Sequence, residues 1–332
     1  MGEACTDQLK DLISQYQDSP PKGSSWEECL KSCLPYIAAT KRNYPYIIEE
    51  FEGCARATGI DSLELFTVAT DELWADHVNS ARHCSDIIVC PPATDTDILV
   101  GHNNDLSPGQ INLISAVEWN ISGKSAMFTI GPGGIFISVG INTQGISLTG
   151  SELTSTDNKV GIPGAFIARA VLNAETFEEA INIATNPDRA SSYHNIICTP
   201  YPGQVVGIEG SATAYGLIYP EDGQLIHTNH YLSPQMQKFE GHPDYLSSIE
   251  RQRRLVEILM TTKRPISKTA ILNILKDHGK DGIASENTVC RHSSESETTF
   301  STLFNLTQGS VELALGHPCQ NEFHEIWRFS AV

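Results

Sequence analysis

Positive charge is scarce in this chain. Lys and Arg number 22 against 40 Asp and Glu, a formal net charge of −18. Nucleic acid and anionic membrane surfaces need a cationic face, so this balance argues against both as partners. No apolar run approaches about 20 residues, which excludes a membrane-spanning helix. The opening residues Met1 to Asp7 carry neither a basic region nor an apolar one, so no secretory leader is expected. The closing Phe329-Ser330-Ala331-Val332 is not a peroxisomal address of the Ser-Lys-Leu type. The expected compartment is therefore the cytoplasm. Repeats, low-complexity tracts and linkers long enough to separate domains are also missing. Gly131-Pro132-Gly133-Gly134 is followed by no Lys-Ser/Thr pair and opens no helical pattern, so it is not a phosphate loop. Nine cysteines are scattered through the chain. Cys29-x-x-x-Cys33 has no partner pair at zinc spacing. Cys29, Cys33 and Cys54 fall in helical patterns and read as core thiols. No metal and no cofactor is expected.

What is present is a chain of 332 residues, 40% of them hydrophobic, enough for one large core. The first eighty residues have helical periodicity. Ser24-Ser25 caps a helix over 26–40, a second runs over 46–58 up to Gly59, and a third follows Ile60-Asp61 to about Trp74. Glu72 and Asp76 there read as solvated or capping. Strand-like segments begin near Arg82 and continue to about Gly150. Helices are expected over 162–173 and 176–184, then strands near 195–199, 205–209, 214–218 and 223–227. Helices over 247–262 and 268–278 precede the last strands, near 288–290, 299–306, 311–316 and 323–329. Strands in hairpin blocks with paired helices do not suit a doubly wound parallel sheet. They suit antiparallel sheets layered between helices, an αββα sandwich of the α+β class.

The chemistry concentrates at one hairpin. Cys84-Ser85-Asp86-Ile87-Ile88-Val89-Cys90 and Ile98-Leu99-Val100-Gly101-His102-Asn103-Asn104-Asp105 flank a turn rich in Pro, Asp and Thr. Antiparallel pairing brings Cys84, at the head of one strand, near Asp105, at the end of the other. A thiol and a carboxylate so joined can be a nucleophile and its orienting partner; the cysteine can equally be a small buried hydrophobe. A third strand ends in His227-Thr228-Asn229-His230. His227 and His230 have no Cys or acid at ligand spacing and read as packing or pocket residues. Asn142, after a strand, suits a local turn at least as well as a substrate contact.

The helical prelude, Cys84, Gly101-His102-Asn103-Asn104-Asp105 and His227-Thr228-Asn229-His230 come in this order. Gly140-Ile141-Asn142-Thr143-Gln144-Gly145-Ile146, Gly161-Ile162-Pro163, Val289-Cys290-Arg291, Thr302-Leu303-Phe304-Asn305 and Leu315-Gly316-His317-Pro318 accompany them. The set, spread over 36–329, resembles the acyl-coenzyme A:6-aminopenicillanate acyltransferase family of cysteine-type N-terminal-nucleophile hydrolases. The resemblance implies a four-layer αββα fold and an inactive precursor. In it the Cys84 thiol attacks the His83 carbonyl, leaving residues 1–83 as an α chain and 84–332 as the catalytic β chain, together one domain. It implies that the freed amine of Cys84 serves as base and Asp105 orients that amine. Asn229 would donate to the tetrahedral oxyanion; turn roles for Asp105 and Asn229 remain open. The substrate would be a small N-acyl amine, and a limited likeness to the β-alanyl-amine hydrolase branch suggests a β-alanyl amine. Acyl-coenzyme A-dependent transfer and a non-catalytic binding role are the alternatives. Two departures stand out. Thr298-Thr299-Phe300-Ser301 occupies the place where the penicillin enzymes have an arginine, and His83 stands where they have glycine.

Overall fold

The computed structural model describes residues 2–74, 83–200, 203–241 and 245–330. Four helices come first: α1 (Thr6–Asp18), α2 (Trp26–Asn43), α3 (Pro45–Thr58) and α4 (Ser62–Val68). Local chemistry explains their ends. Ser25 and Glu28 form a capping box that satisfies free amides at the start of α2. Gly59, at φ 73°, supplies the left-handed residue that closes α3. Asp61 accepts from the Leu63 amide to open α4.

Two antiparallel sheets follow. The first contains β1 (His83–Val89), β2 (Leu99–Leu106), β10 (Gln224–His227), β11 (Glu297–Asn305), β12 (Ser310–Leu315) and β13 (His324–Arg328), in the order β10-β1-β2-β11-β12-β13. The second is a seven-stranded meander. It runs β3 (Ile114–Trp119), β4 (Met127–Pro132), β5 (Val139–Asn142), β6 (Ser147–Ser151), β7 (Tyr193–Cys198), β8 (Val205–Gly210) and β9 (Tyr215–Ile218). Helices α5 (Gly164–Val171) and α6 (Phe177–Ala184) interrupt it between β6 and β7. Helices α7 (Leu246–Thr261) and α8 (Lys268–Leu275) lie between β10 and β11.

Three apolar clusters glue the layers. Ile87, Val89, Leu99 and Leu303 of the first sheet pack on Leu255, Leu259, Ile271 and Leu275 of α7 and α8. Ile88, Val100, Phe300 and Phe304 meet Phe128, Ile130, Val139 and Ile196 between the sheets. The outer face of the second sheet is covered by α1 to α6; Phe51, Phe66 and Phe166 stack there with ring centroids 4.5 to 5.3 Å apart. The result is a four-layer αββα sandwich, as the grouping of strands and helices implies. The α1–α4 prelude shares its core with α5 and α6, and Arg169 of α5 makes a paired contact with the Glu50 carboxylate of α3.

Cys29, Cys33 and Cys54 are buried in the core, as expected. One expected strand is absent. Residues 288–290 form a turn and bend. Thr288 Oγ1 donates back to the Ser285 carbonyl, and the Cys290 amide is taken by the Asp277 carbonyl, so this short apolar run is a buried loop. The helix expected over 162–173 is shorter, because the Ile162 amide and carbonyl are engaged with Asp188 and Ala190. Among the described residues no helix is long and apolar enough to cross a membrane.

Candidate active site

The β1–β2 register sets the site. Cys84 pairs with Asn104, Asp86 with His102, and His83 with Asp105. Side chains alternate across a strand, so Cys84, Asp86, His102 and Asn104 share the face turned to the second sheet. Contacts follow this pattern. Asn104 Nδ2 lies 3.6 Å from Cys84 Sγ and 3.4 Å from His102 Nε2. His102 Nδ1 is 2.8 Å from Asp86 Oδ1, and Ser151 of β6 donates to Asp86 Oδ2 at 2.8 Å. A buried polar row thus runs from Asp86 to the thiol.

Asp105 belongs to the other face, with Ser85 and Asn103. Its Oδ1 accepts from Thr298 Oγ1 at 2.7 Å, and its buried Oδ2 has no hydrogen-bond partner. Burial raises its pKa, opposed first by the charge of Arg251 and then by that of Arg291. Arg251 is fully buried. It reaches from α7 to donate to the Cys84 carbonyl, to Ser85 Oγ at 2.9 Å and to Asn229 Oδ1 at 2.8 Å. Burial pulls its pKa down to about 10, with Asp105 the main charge holding it up. Asn229 Oδ1 also accepts the Cys84 amide at 3.0 Å, while its Nδ2 donates to the Glu152 carbonyl at 3.1 Å. Two donors facing Oδ1 fix the orientation of this amide. The Cys84 thiol is pushed well above its ordinary range, by burial first and then by the charges of Asp86 and Asp105. In the uncut chain it is held as the neutral thiol.

Cys84 and Asn104 line a cleft between the sheets and the helical prelude. Asp71, Glu72 and Glu152 contribute carboxylates to it, and no Lys or Arg lines it among the described residues. Glu72 accepts from the Gly164 amide at the start of α5 and from Ser191 Oγ. Burial pushes its pKa up to about 7. Glu72 therefore caps a distant helix and faces the cleft rather than solvent. Asp76 and Arg82 lie outside the described residues.

A comparison of the sequence with known families decides which one it belongs to. The sequence model of the acyl-coenzyme A:6-aminopenicillanic acid acyl-transferase family matches residues 93–320. The chain belongs to this family. It is an enzyme of amide hydrolysis or acyl transfer. The matched span begins downstream of Cys84, so the nucleophile assignment rests on the sequence reading and the geometry above. Among solved structures, the chain is similar to an N-acylethanolamine-hydrolyzing acid amidase ortholog of Caenorhabditis elegans. That likeness has TM-score 0.51 and 16% identity, covering 68% of this chain and 93% of that one. A conjugated bile acid hydrolase variant of Clostridium perfringens follows at TM-score 0.49 and 14% identity, covering 75% and 98%. At such identities the first of these speaks for the fold. No curated protein sequence matches.

The structure thus brings Cys84 and Asn229 into direct contact and places Asp105 opposite His83, one residue out of register. The other candidates separate from it. Asn142 spends its side chain on Leu172 O, Ala174 O and the amides of Gln144 and Ile146, so it pins a turn. His227 is paired with Glu209 and stacked on His194; His230 bonds Ser248 and stacks on Tyr245. Both are packing residues, as expected. Arg251, Asn104 and Glu72 are the residues that sequence reasoning missed. For Arg251 a signal existed. The buried positions of α7 are Ser248, Arg251, Leu255 and Leu259, so a charged residue sits on the apolar stripe.

Proposed function

We propose that this enzyme is a self-processing cysteine amidohydrolase that cleaves a small N-acyl amine, with a β-alanyl amine the candidate that the sequence resemblance suggests. The observation that carries this is the contact of the Cys84 amide with Asn229 Oδ1 at 3.0 Å, with Asn104 Nδ2 3.6 Å from the sulfur, at the wall of the cleft.

In the precursor, Cys84 Sγ attacks the His83 carbonyl carbon. The C–S bond forms, the C–N bond breaks, and the thiol proton passes to the departing nitrogen. Water then hydrolyses the thioester to a His83 carboxylate and regenerates the thiol. The freed α-amine, with a reference pKa of about 8, is a base suited to neutral pH. Asn229 Oδ1 already accepts from this nitrogen at 3.0 Å and would keep it aimed. Arg251 braces Asn229 and offsets the buried charge of Asp105, which supports the amine from the other face. In turnover the thiol attacks the substrate carbonyl, the amine of the substrate leaves protonated, and water releases the acyl group. Asn104 Nδ2, next to the sulfur, is the side-chain donor for the developing oxyanion. Asn229 Nδ2 is engaged with Glu152 O and serves orientation instead.

The test combines intact mass with a substrate panel. The purified protein should split between His83 and Cys84 and hydrolyse β-alanyl amides faster than neutral or carboxylate-bearing N-acyl amines. Cys84→Ala should abolish both events. An uncut chain that still hydrolyses amides, or a preference for anionic substrates, would overturn the reading.

A further inference from the structure

A second cluster lies away from the cleft, where three loops meet. His278 follows α8, Cys290 and His292 lie on the segment leading to β11, and Cys319 lies between β12 and β13. Their ligand atoms all fall within 4.8 Å of one another. His292 Nε2 is 3.4 Å from Cys290 Sγ and 3.4 Å from Cys319 Sγ. His278 Nε2 is buried with no hydrogen-bond partner. The ring of His317 stacks on His292 at 3.8 Å and 8°, fixing the plane of that imidazole.

We propose that His278, Cys290, His292 and Cys319 form a tetrahedral zinc site that locks the Arg291 loop onto the rest of the sandwich. Among the described residues the donor set is two cysteines and two histidines, with no carboxylate and no fifth group in it. This is the composition of a closed structural zinc site. Bond lengths of about 2.3 Å to sulfur and 2.0–2.1 Å to nitrogen put tetrahedral neighbours roughly 3.3 to 3.8 Å apart. The two sulfur–nitrogen separations already have this value, and the widest pair needs to close by about 1 Å. Both histidines would bind through Nε2, the atom that in His278 is buried without a partner and in His292 faces both sulfurs. The backbone is held ready: the Cys290 amide donates to Asp277 O and the His292 amide to Ser285 O. Cys319 is partly exposed, which gives the metal a way in.

The site would also reach the catalytic centre. Arg291 lies between two of the ligands, and its amide donates to Thr298 Oγ1, whose hydroxyl donates to Asp105 Oδ1. A metal holding Cys290 and His292 would therefore hold the support of Asp105. The sequence hides the set because its members are far apart, with only Cys290-x-His292 close together.

The experiment is elemental analysis of the full chain, purified without chelator and desalted. One zinc per chain is expected, and its loss in Cys319→Ser and in His292→Ala. Removing the zinc and adding cobalt(II) to the unmutated protein should give intense visible ligand-field bands and thiolate-to-cobalt charge-transfer absorption. This reads the site even where a variant fails to fold. A zinc-free protein whose cobalt complex lacks these bands, another metal on these residues, or a Cys290–Cys319 disulfide by intact mass would each overturn the proposal. Metal content is read without any assay of amide hydrolysis, so the outcome is independent of the proposed activity.

Discussion

Replacing Arg251 with methionine tests the electrostatic logic of the site. Methionine is also unbranched and apolar, so the change removes charge and donors while filling most of the space along the arginine stem. Arg251 is fully buried and donates to the Cys84 carbonyl, Ser85 Oγ and Asn229 Oδ1. It is also the first of the cations whose charge opposes the upward push of burial on the Asp105 carboxyl. Removing one partner from a buried ionic arrangement typically costs about 3–5 kcal/mol, because the other charge is left without compensation. At about 2.1 cal/mol/K of unfolding entropy per residue, a chain of 332 residues unfolds with roughly 0.7 kcal/mol/K. The expected fall in Tm is therefore roughly 4 to 7 °C. The measurement belongs in a Cys84→Ala background, where the chain stays whole. Adding Asp105→Asn to Arg251→Met removes the orphaned charge, so the double variant should melt above Arg251→Met alone. A loss below about 1 kcal/mol for Arg251→Met, or a double variant no more stable than the single, would refute the pairing.

Glu72 makes a pH prediction. Its carboxyl has a folded pKa of about 7, against an ordinary value of 4.5. Between those values the folded protein retains a proton that the unfolded chain releases. Stability should therefore fall as pH rises through this window and level off above it. Glu72→Gln should flatten that segment in a series of thermal melts; an unchanged profile would exclude Glu72 as its source. For a cationic substrate, protonating Glu72 below about pH 7 should raise KM with little effect on kcat, and initial rates across pH read this directly. Asn229→Ala frees the Cys84 nitrogen from its acceptor. Misplacement of a reacting group by about 1 Å costs on the order of a hundredfold, so processing followed by intact mass should slow by about that factor. Processing at the unmutated rate would remove Asn229 from the orienting role.

Some of this was legible in the sequence because local chemistry governed it. The hairpin could be read from β-branched runs around a turn rich in Pro and Asp, and its register brings Cys84 beside Asn104. The first helices could be read from Ser25 and Gly59, whose caps are local devices. The loop at Thr288 to Cys290 could not, because its apolar residues are buried by distant elements and its amides are claimed by Asp277 and by a local turn. Arg251 and Glu72 hide for a related reason. Each is a charged residue in a helical segment, and although Arg251 falls on the apolar stripe of α7, neither position tells which partner it meets. Only tertiary packing turns Arg251 toward the nucleophile and Glu72 toward α5. Asp105 shows the limit of adjacency as a guide. Pairing sets it opposite His83, one residue from the thiol, and alternation turns its side chain to the other face.

The core that α1 to α4 share with α5 and α6 would give the proposed maturation a memory. While the chain is whole, its two segments are tethered and meet at high effective concentration whatever the dilution. A cut before Cys84 severs the tether but leaves the buried contacts among Phe51, Phe66 and Phe166, and those of Glu50 with Arg169. The cut protein would persist because its pieces do not separate. Once unfolded, however, they would have to find each other as independent molecules, and recovery would depend on protein concentration. The intact form and the cut form could thus share one architecture and differ in whether that architecture can be regained. The enzyme would be assembled once, from a single chain, and preserved afterwards by slow dissociation.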